Sequence, residues 1–129
     1  MASVGALRTF GAPAPLTLVV RPSLNIMKVI RCTDFLPQRA WQAMDIARIQ
    51  GATVRLHWTD QPYKWHINDG EEVFAVLSGE VDMYYKVSDS TQIAKLKAGD
   101  VFHASVGCEH VAHPIGSAYV LVVEQEGSV

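Results

Sequence analysis

From Thr53 to Glu124 the chain is broken by turn-forming residues at intervals of roughly 8–12, and the stretches between them read as β-strands. Thr53 to Trp58 alternates, with Val54, Leu56 and Trp58 on one face and Thr53, Arg55 and His57 on the other. Val73 to Leu77 is a continuous apolar run, expected of a strand covered on both sides. Ser78-Gly79 follows as a turn, and Val81, Met83, Tyr85 and Val87 then share a face. Ser88 to Ser90, Lys97 to Asp100 and Ser105 to Gly107 are further turns. They separate strands at Thr91–Leu96, Val101–His103, Val111–His113 and Tyr119–Glu124. Many short strands without βαβ alternation predict an all-β sandwich or barrel. Neither GxGxxG nor a P-loop is present, which sets aside the nucleotide-binding α/β folds.

Residues 39–47 (RAWQAMDIA) carry the apolar members Trp41, Met44 and Ile46 and predict a short helical turn that Gly51 ends. Ahead of it, Lys28 to Arg31 reads as a short strand. Residues 1–26 form an N-terminal arm or extension, and residues 27–129 the single folded unit. Pro13 and Pro15 interrupt the one apolar stretch that a secretory signal would need. An organelle leader is the other processing segment that this acid-free stretch suggests.

Charge is unevenly placed. Residues 1–33 hold Arg8, Arg21, Lys28 and Arg31 and no acid, whereas the remainder holds seven basic and thirteen acidic residues. An acidic body with no Lys/Arg stripe excludes nucleic acid as the expected partner. No apolar run approaches the ~20 residues of a membrane helix, so no membrane partner is expected either. Cys32 and Cys108 lie far apart with no CxxC, which suits reduced thiols and a cytoplasmic location.

Two blocks carry chemistry-bearing residues. His66 and Asn68 point the same way in extended chain, and the Asn68-Asp69-Gly70 turn can fold Glu72 back toward them. A second group begins at Gly99 and reaches His110 eleven residues on, through the turn at Gly107. Asn68 reads equally as a plain turn residue.

His66-Ile67-Asn68, three residues, Glu72, six residues, Gly79 resembles the first cupin motif, HxH(x)3-4E(x)6G. Gly99, Gly107, two residues and His110 resemble the second, G(x)5PxG(x)2H(x)3N. The motifs fall at 66–79 and 99–114, and the chain is similar to a small single-domain cupin, like the barrel of mannose-6-phosphate isomerases. The resemblance implies a double-stranded β-helix, or jelly-roll barrel. It also implies a metal held by His66, Glu72 and His110, with Asn68 standing where a histidine is usual. Asp60 replaces a glycine, Ser105 a proline and Pro114 an asparagine of the motifs.

Fe(II) or Mn(II) is favoured by this donor set, with Ni(II) or Zn(II) as alternatives. Dioxygenase, isomerase and decarboxylase chemistry on a small molecule all occur on the fold, which does not choose among them. The alternative is a non-catalytic, metal-free barrel that binds a small ligand for sensing. Arg55, His57, Tyr63 and Trp65 are candidate pocket residues, with packing as the competing role of the aromatics. His103, His113 and Cys108 read as structural or surface positions. A homodimer is expected because a small barrel leaves sheet edges open, with Lys28–Arg31 and Leu16–Val20 as candidate exchange segments.

Overall fold

A computed structural model describes residues 25–128. A single 3-10 turn, Cys32–Asp34, precedes seven strands: β1 (Ala43–Ile49), β2 (Ala52–Thr59), β3 (His66–Ile67), β4 (Glu72–Val87), β5 (Ser90–Lys97), β6 (Val101–Ala104) and β7 (Glu109–Gln125). All pairings are antiparallel. The two long strands organise the rest. The first half of β4 lies between β6 and the second half of β7, which continues to β2 and β1. The second half of β4 lies between β5 and the first half of β7, which also holds β3.

The change of sheet occurs where the β4–β7 register slips, at Val76/Ser78 and Gly79/Glu80. Leu77 is the extra residue on β4, and Gly116 and Ser117 are extra on β7. Gly79 has φ +84°, and a Cβ there would meet the Ser117 carbonyl oxygen at 2.4 Å. Only glycine fits this corner. The halves then close on one core of Phe74, Val76, Val81, Met83, Leu96, Ala112, Ala118, Val120 and Val122.

Several expectations are corrected. Residues 43–49 are a strand and the helical turn lies earlier, at Cys32–Asp34. Gln50 (φ 52°) and Gly51 (φ 82°) form a two-residue connection of the kind that joins twisted hairpin strands. The ladder to β2 outweighs the weak helical pattern. Lys28 to Arg31 has no regular structure, because among the described residues no strand pairs with it. Ser78-Gly79 is a bulge inside β4 rather than a hairpin turn, and Val111–His113 and Tyr119–Glu124 are parts of one strand. Val73–Leu77 is not covered on both sides. Phe74 and Val76 are buried, while Val73 and Leu77 are 36% and 43% exposed. Leu16–Val20 and most of the arm lie outside the described residues.

Gly79→Ala should lower stability by more than about 2 kcal/mol, since the left-handed backbone alone costs about 1–2 kcal/mol and the clash adds to it. Gly99 also has a left-handed φ, +97°, but an added Cβ there meets nothing within 4 Å. Gly99→Ala should therefore cost only the conformational part, and denaturant midpoints of the two variants would rank them.

Candidate metal centre and its cavity

The two-residue pairing of β3 with β7 sets His66 directly opposite His110, their ring centroids 4.3 Å apart, and Ile67 opposite Glu109. Each imidazole is oriented by a backbone carbonyl two residues before it. His66 Nδ1 donates to the Lys64 oxygen at 3.0 Å and His110 Nδ1 to the Cys108 oxygen at 3.3 Å. Both Nε2 atoms are thereby turned inward. Glu72, the first residue of β4, brings its carboxylate to them. Oε1 lies 3.1 Å from His110 Nε2 and 3.9 Å from His66 Nε2. One donor atom from each of the three residues lies within 4.8 Å of the other two.

Glu72 is 7% exposed and His110 is 2% exposed, so the centre is nearly dry. Burial pushes the Glu72 carboxyl up. The two imidazoles oppose this and prevail, holding it at about 2. His66 is raised, chiefly by the Glu72 carboxylate and against burial. A buried anion with two inward-facing nitrogens fits a divalent cation: the donors are of the right types, they are pre-oriented, and among the described residues no Lys or Arg neutralises Glu72.

Asn68 is buried but serves a different end. Its side-chain Nδ2 donates to the Ala104 oxygen at 3.3 Å. Its backbone N–H donates to the Cys108 oxygen, and its carbonyl accepts from Gly107 N–H. It clasps the loop before β3 to the loop before β7, the two segments that deliver His66 and His110.

The centre opens into a cavity of about 250 Å³, small for a ligand pocket and suited to a molecule of few atoms. Strand register explains its lining. Phe74, Val122, Arg55 and Asp45 lie in one row across β4, β7, β2 and β1. Glu72, Glu124 and Thr53 form the next row. Arg55 and His57 therefore face the cavity, and Tyr63 lines it as well. Arg55 Nε donates to Asp45 at 2.7 Å, and His57 Nδ1 bonds to the Trp41 oxygen at 3.1 Å. Burial lowers the His57 pKa most strongly. Trp65 does not line the cavity; its ring lies under Lys86 Nζ at 5.1 Å.

Trp41 and Glu124 are among the wall residues that sequence reasoning missed. Trp41 has φ 63° and packs edge-on against Tyr63 at 5.1 Å, a placement hidden by the helical reading of its segment. In the sequence Glu124 reads only as the end of the last strand, although its alternation with Val122 and Val120 is a period-two signal. His103 bonds Glu71 at the surface, His113 stacks on Tyr84, and both cysteines are free thiols. No helix among the described residues is long and apolar enough to cross a membrane.

No family model and no curated protein matches the sequence. Solved structures do match. A cupin-2 domain containing protein from Shewanella frigidimarina is 23% identical with a TM-score of 0.65, over 76% of this chain and 95% of that one. A cupin superfamily protein from Desulfitobacterium hafniense is 15% identical with a TM-score of 0.62, over 73% and 85%. A cobalt(II) form of HppE in complex with substrate is 18% identical with a TM-score of 0.57, over 66% of this chain and 52% of that one, so this chain spans about half of it. The fold is that of a small cupin-like domain.

Burial, reinforced by Glu72 across the ladder, pushes the Glu124 carboxyl up to about 7. Its ionised form is thus penalised in the folded state. The penalty is absent below the unfolded value of 4.5, grows as pH rises, and is complete above about 7. The displacement corresponds to about 3 kcal/mol, trimmed to roughly 1–2 kcal/mol by partial solvation. In chelator-treated protein, Glu124→Gln should raise the thermal midpoint over wild type at pH 8 and leave it nearly unchanged at pH 4.5.

Proposed function

We propose that this cupin-fold chain binds one divalent metal through His66, Glu72 and His110 and acts on a small polar or anionic molecule in the adjoining cavity. The observation that carries the reading is the convergence of three donors from three strands, each imidazole held by its own backbone carbonyl. Three protein donors leave positions open on a metal, the arrangement that suits Fe(II) or Mn(II). When bound, such a metal supplies Lewis-acid or oxygen chemistry. The protein's own residues do the rest. Arg55 offers a cation to an anionic group, and its bond to Asp45 fixes its direction. Glu124 supplies a hydrogen-bonding carboxyl on the same wall, and Trp41 and Tyr63 give an apolar edge that limits water.

The kinship in fold with a cobalt(II)-bearing enzyme supports a catalytic rather than a purely structural role. Dioxygenase, isomerase or decarboxylase chemistry fits this site, in a reducing cytoplasm that keeps Cys32 and Cys108 as thiols. A second reading, a barrel that binds a ligand without turning it over, is favoured by Asn68, whose amide nitrogen is engaged with the Ala104 carbonyl.

Protein purified without a histidine tag should contain close to one equivalent of metal by elemental analysis. Stripping the metal should lower the thermal midpoint, since a ligand present at 100 times its Kd adds about 2.7 kcal/mol. His110→Ala should weaken affinity for Mn(II) by more than about 100-fold, beyond the ~10–100-fold that outer contacts carry. Sub-stoichiometric metal, with a midpoint that neither chelator nor added Fe(II) or Mn(II) moves, would overturn the metal reading.

A further inference from the structure

The ladders of β7 stop just ahead of a turn. Its last rung with β4 sets Glu124 opposite Glu72, and its last rung with β2 sets Gln125 opposite Ala52. Glu72 therefore stands on the outermost row of the sheet at this end, and beyond that row comes the turn Gln125–Ser128. The Ser128 N–H donates to the Gln125 carbonyl at 3.0 Å, and Gly127 has φ +86°. A left-handed third residue is what a type II turn demands. Ser128 then lines the same cavity as Glu72 and Glu124.

The turn is held unequally on its two sides. On one, the Glu126 N–H donates to the Gly51 carbonyl at 3.0 Å and the Glu126 carboxylate pairs with Arg48 at 3.1 Å. Both contacts fasten it to the β1–β2 hairpin. On the other side, Ser128 Oγ donates to Asp69 Oδ1 at 2.9 Å. Among the described residues, no second hydrogen bond joins residues 125–128 to the loop between β3 and β4. Asp69 belongs to that loop, three residues ahead of Glu72. One hydroxyl thus bridges two walls of the cavity at the end where no strand closes it.

Behind this bridge, the side chains of His66, Glu72 and His110 are only 11%, 9% and 2% exposed. Donors covered to this degree are reached when part of the wall moves. The β4–β7 and β2–β7 ladders resist such movement, because opening them breaks many hydrogen bonds together. The turn does not resist it: Gln125, Glu126 and Gly127 are exposed, and a single bond holds its far side. We propose that the turn Gln125–Ser128 is a gate to the cavity, hinged on the β1–β2 hairpin and latched by Ser128 on Asp69, through which metal and small ligand reach His66, Glu72 and His110. The identity of what passes rests on the metal reading above; the gate itself rests on the latch.

Diethyl pyrocarbonate applied to the chelator-treated full chain, with labelling rates read at each histidine by peptide mass mapping, tests the gate. Where opening is fast relative to labelling, the rate at a covered site follows the open population. Ser128→Ala should raise labelling of His66 and His110 by about 2- to 10-fold, the weight of one hydrogen bond. It should leave the surface residue His103 unchanged. Ser128→Thr keeps the hydroxyl and should label at the wild-type rate. Gly127→Ala adds a Cβ that meets nothing within 4 Å, yet it strains the left-handed turn and should act in the same direction as Ser128→Ala. Wild-type labelling of His66 and His110 in Ser128→Ala, or a rise shared equally by His103, would overturn the gate. Equilibrium Mn(II) affinity is measured separately on the same proteins. A wild type that binds no Mn(II) would defeat the metal reading, whereas the labelling, carried out without metal, decides the gate by itself.

Discussion

The antiparallel ladder between β4 and β7 is the constraint on which everything else hangs. It runs the length of both strands and survives two register slips, so the strands belong to both halves of the barrel. Glu72 begins one of them, and His110 and Glu124 lie near the two ends of the other. The short pairing of β3 against β7 adds His66. The centre is thus assembled from the most heavily hydrogen-bonded part of the molecule, with loops used only to clasp it. Rigid elements of this kind hold donor atoms closer to a working geometry than loops do.

Electrostatics follow from that assembly. Glu72 and Glu124 are placed side by side by register and are driven in opposite directions by their surroundings. Two imidazoles stabilise the charge of Glu72, whereas Glu124 has burial and the like charges of Glu72 and Asp69 against it, outweighing His66 and Arg55. Two carboxyls with separated proton affinities, on one wall of a small cavity, give the site an anion and, below about pH 7, a neutral hydrogen-bonding group.

Much of this was legible in the chain. The spacing of His66, Glu72, Gly79, Gly107 and His110 located the centre because each residue answers a local demand: donors on one face, a glycine at a corner that rejects a Cβ, another at a left-handed turn. Arg55 and His57 were placed by simple alternation. What escaped depended on partners distant in sequence. Ala43–Ile49 has an ambiguous period, and only β2 makes it a strand. Glu124 becomes part of the cavity only through its rung with Glu72. The Val73–Leu77 run is apolar on both faces, so its pattern could not separate a covered face from one open in the isolated chain.

The extra residue at Leu77 acts as a change of phase along β4. Before it, the even-numbered Glu72, Phe74 and Val76 point inward; after it, the odd-numbered Val81 and Met83 do. The Glu72-to-Gly79 interval is therefore a parity setting as much as a distance. Gain or loss of one residue between them would leave the corner in place and turn the Glu72 carboxylate outward, away from the two imidazoles. The strand carries its chemistry as a matter of odd and even, and the bulge is where the count is reset.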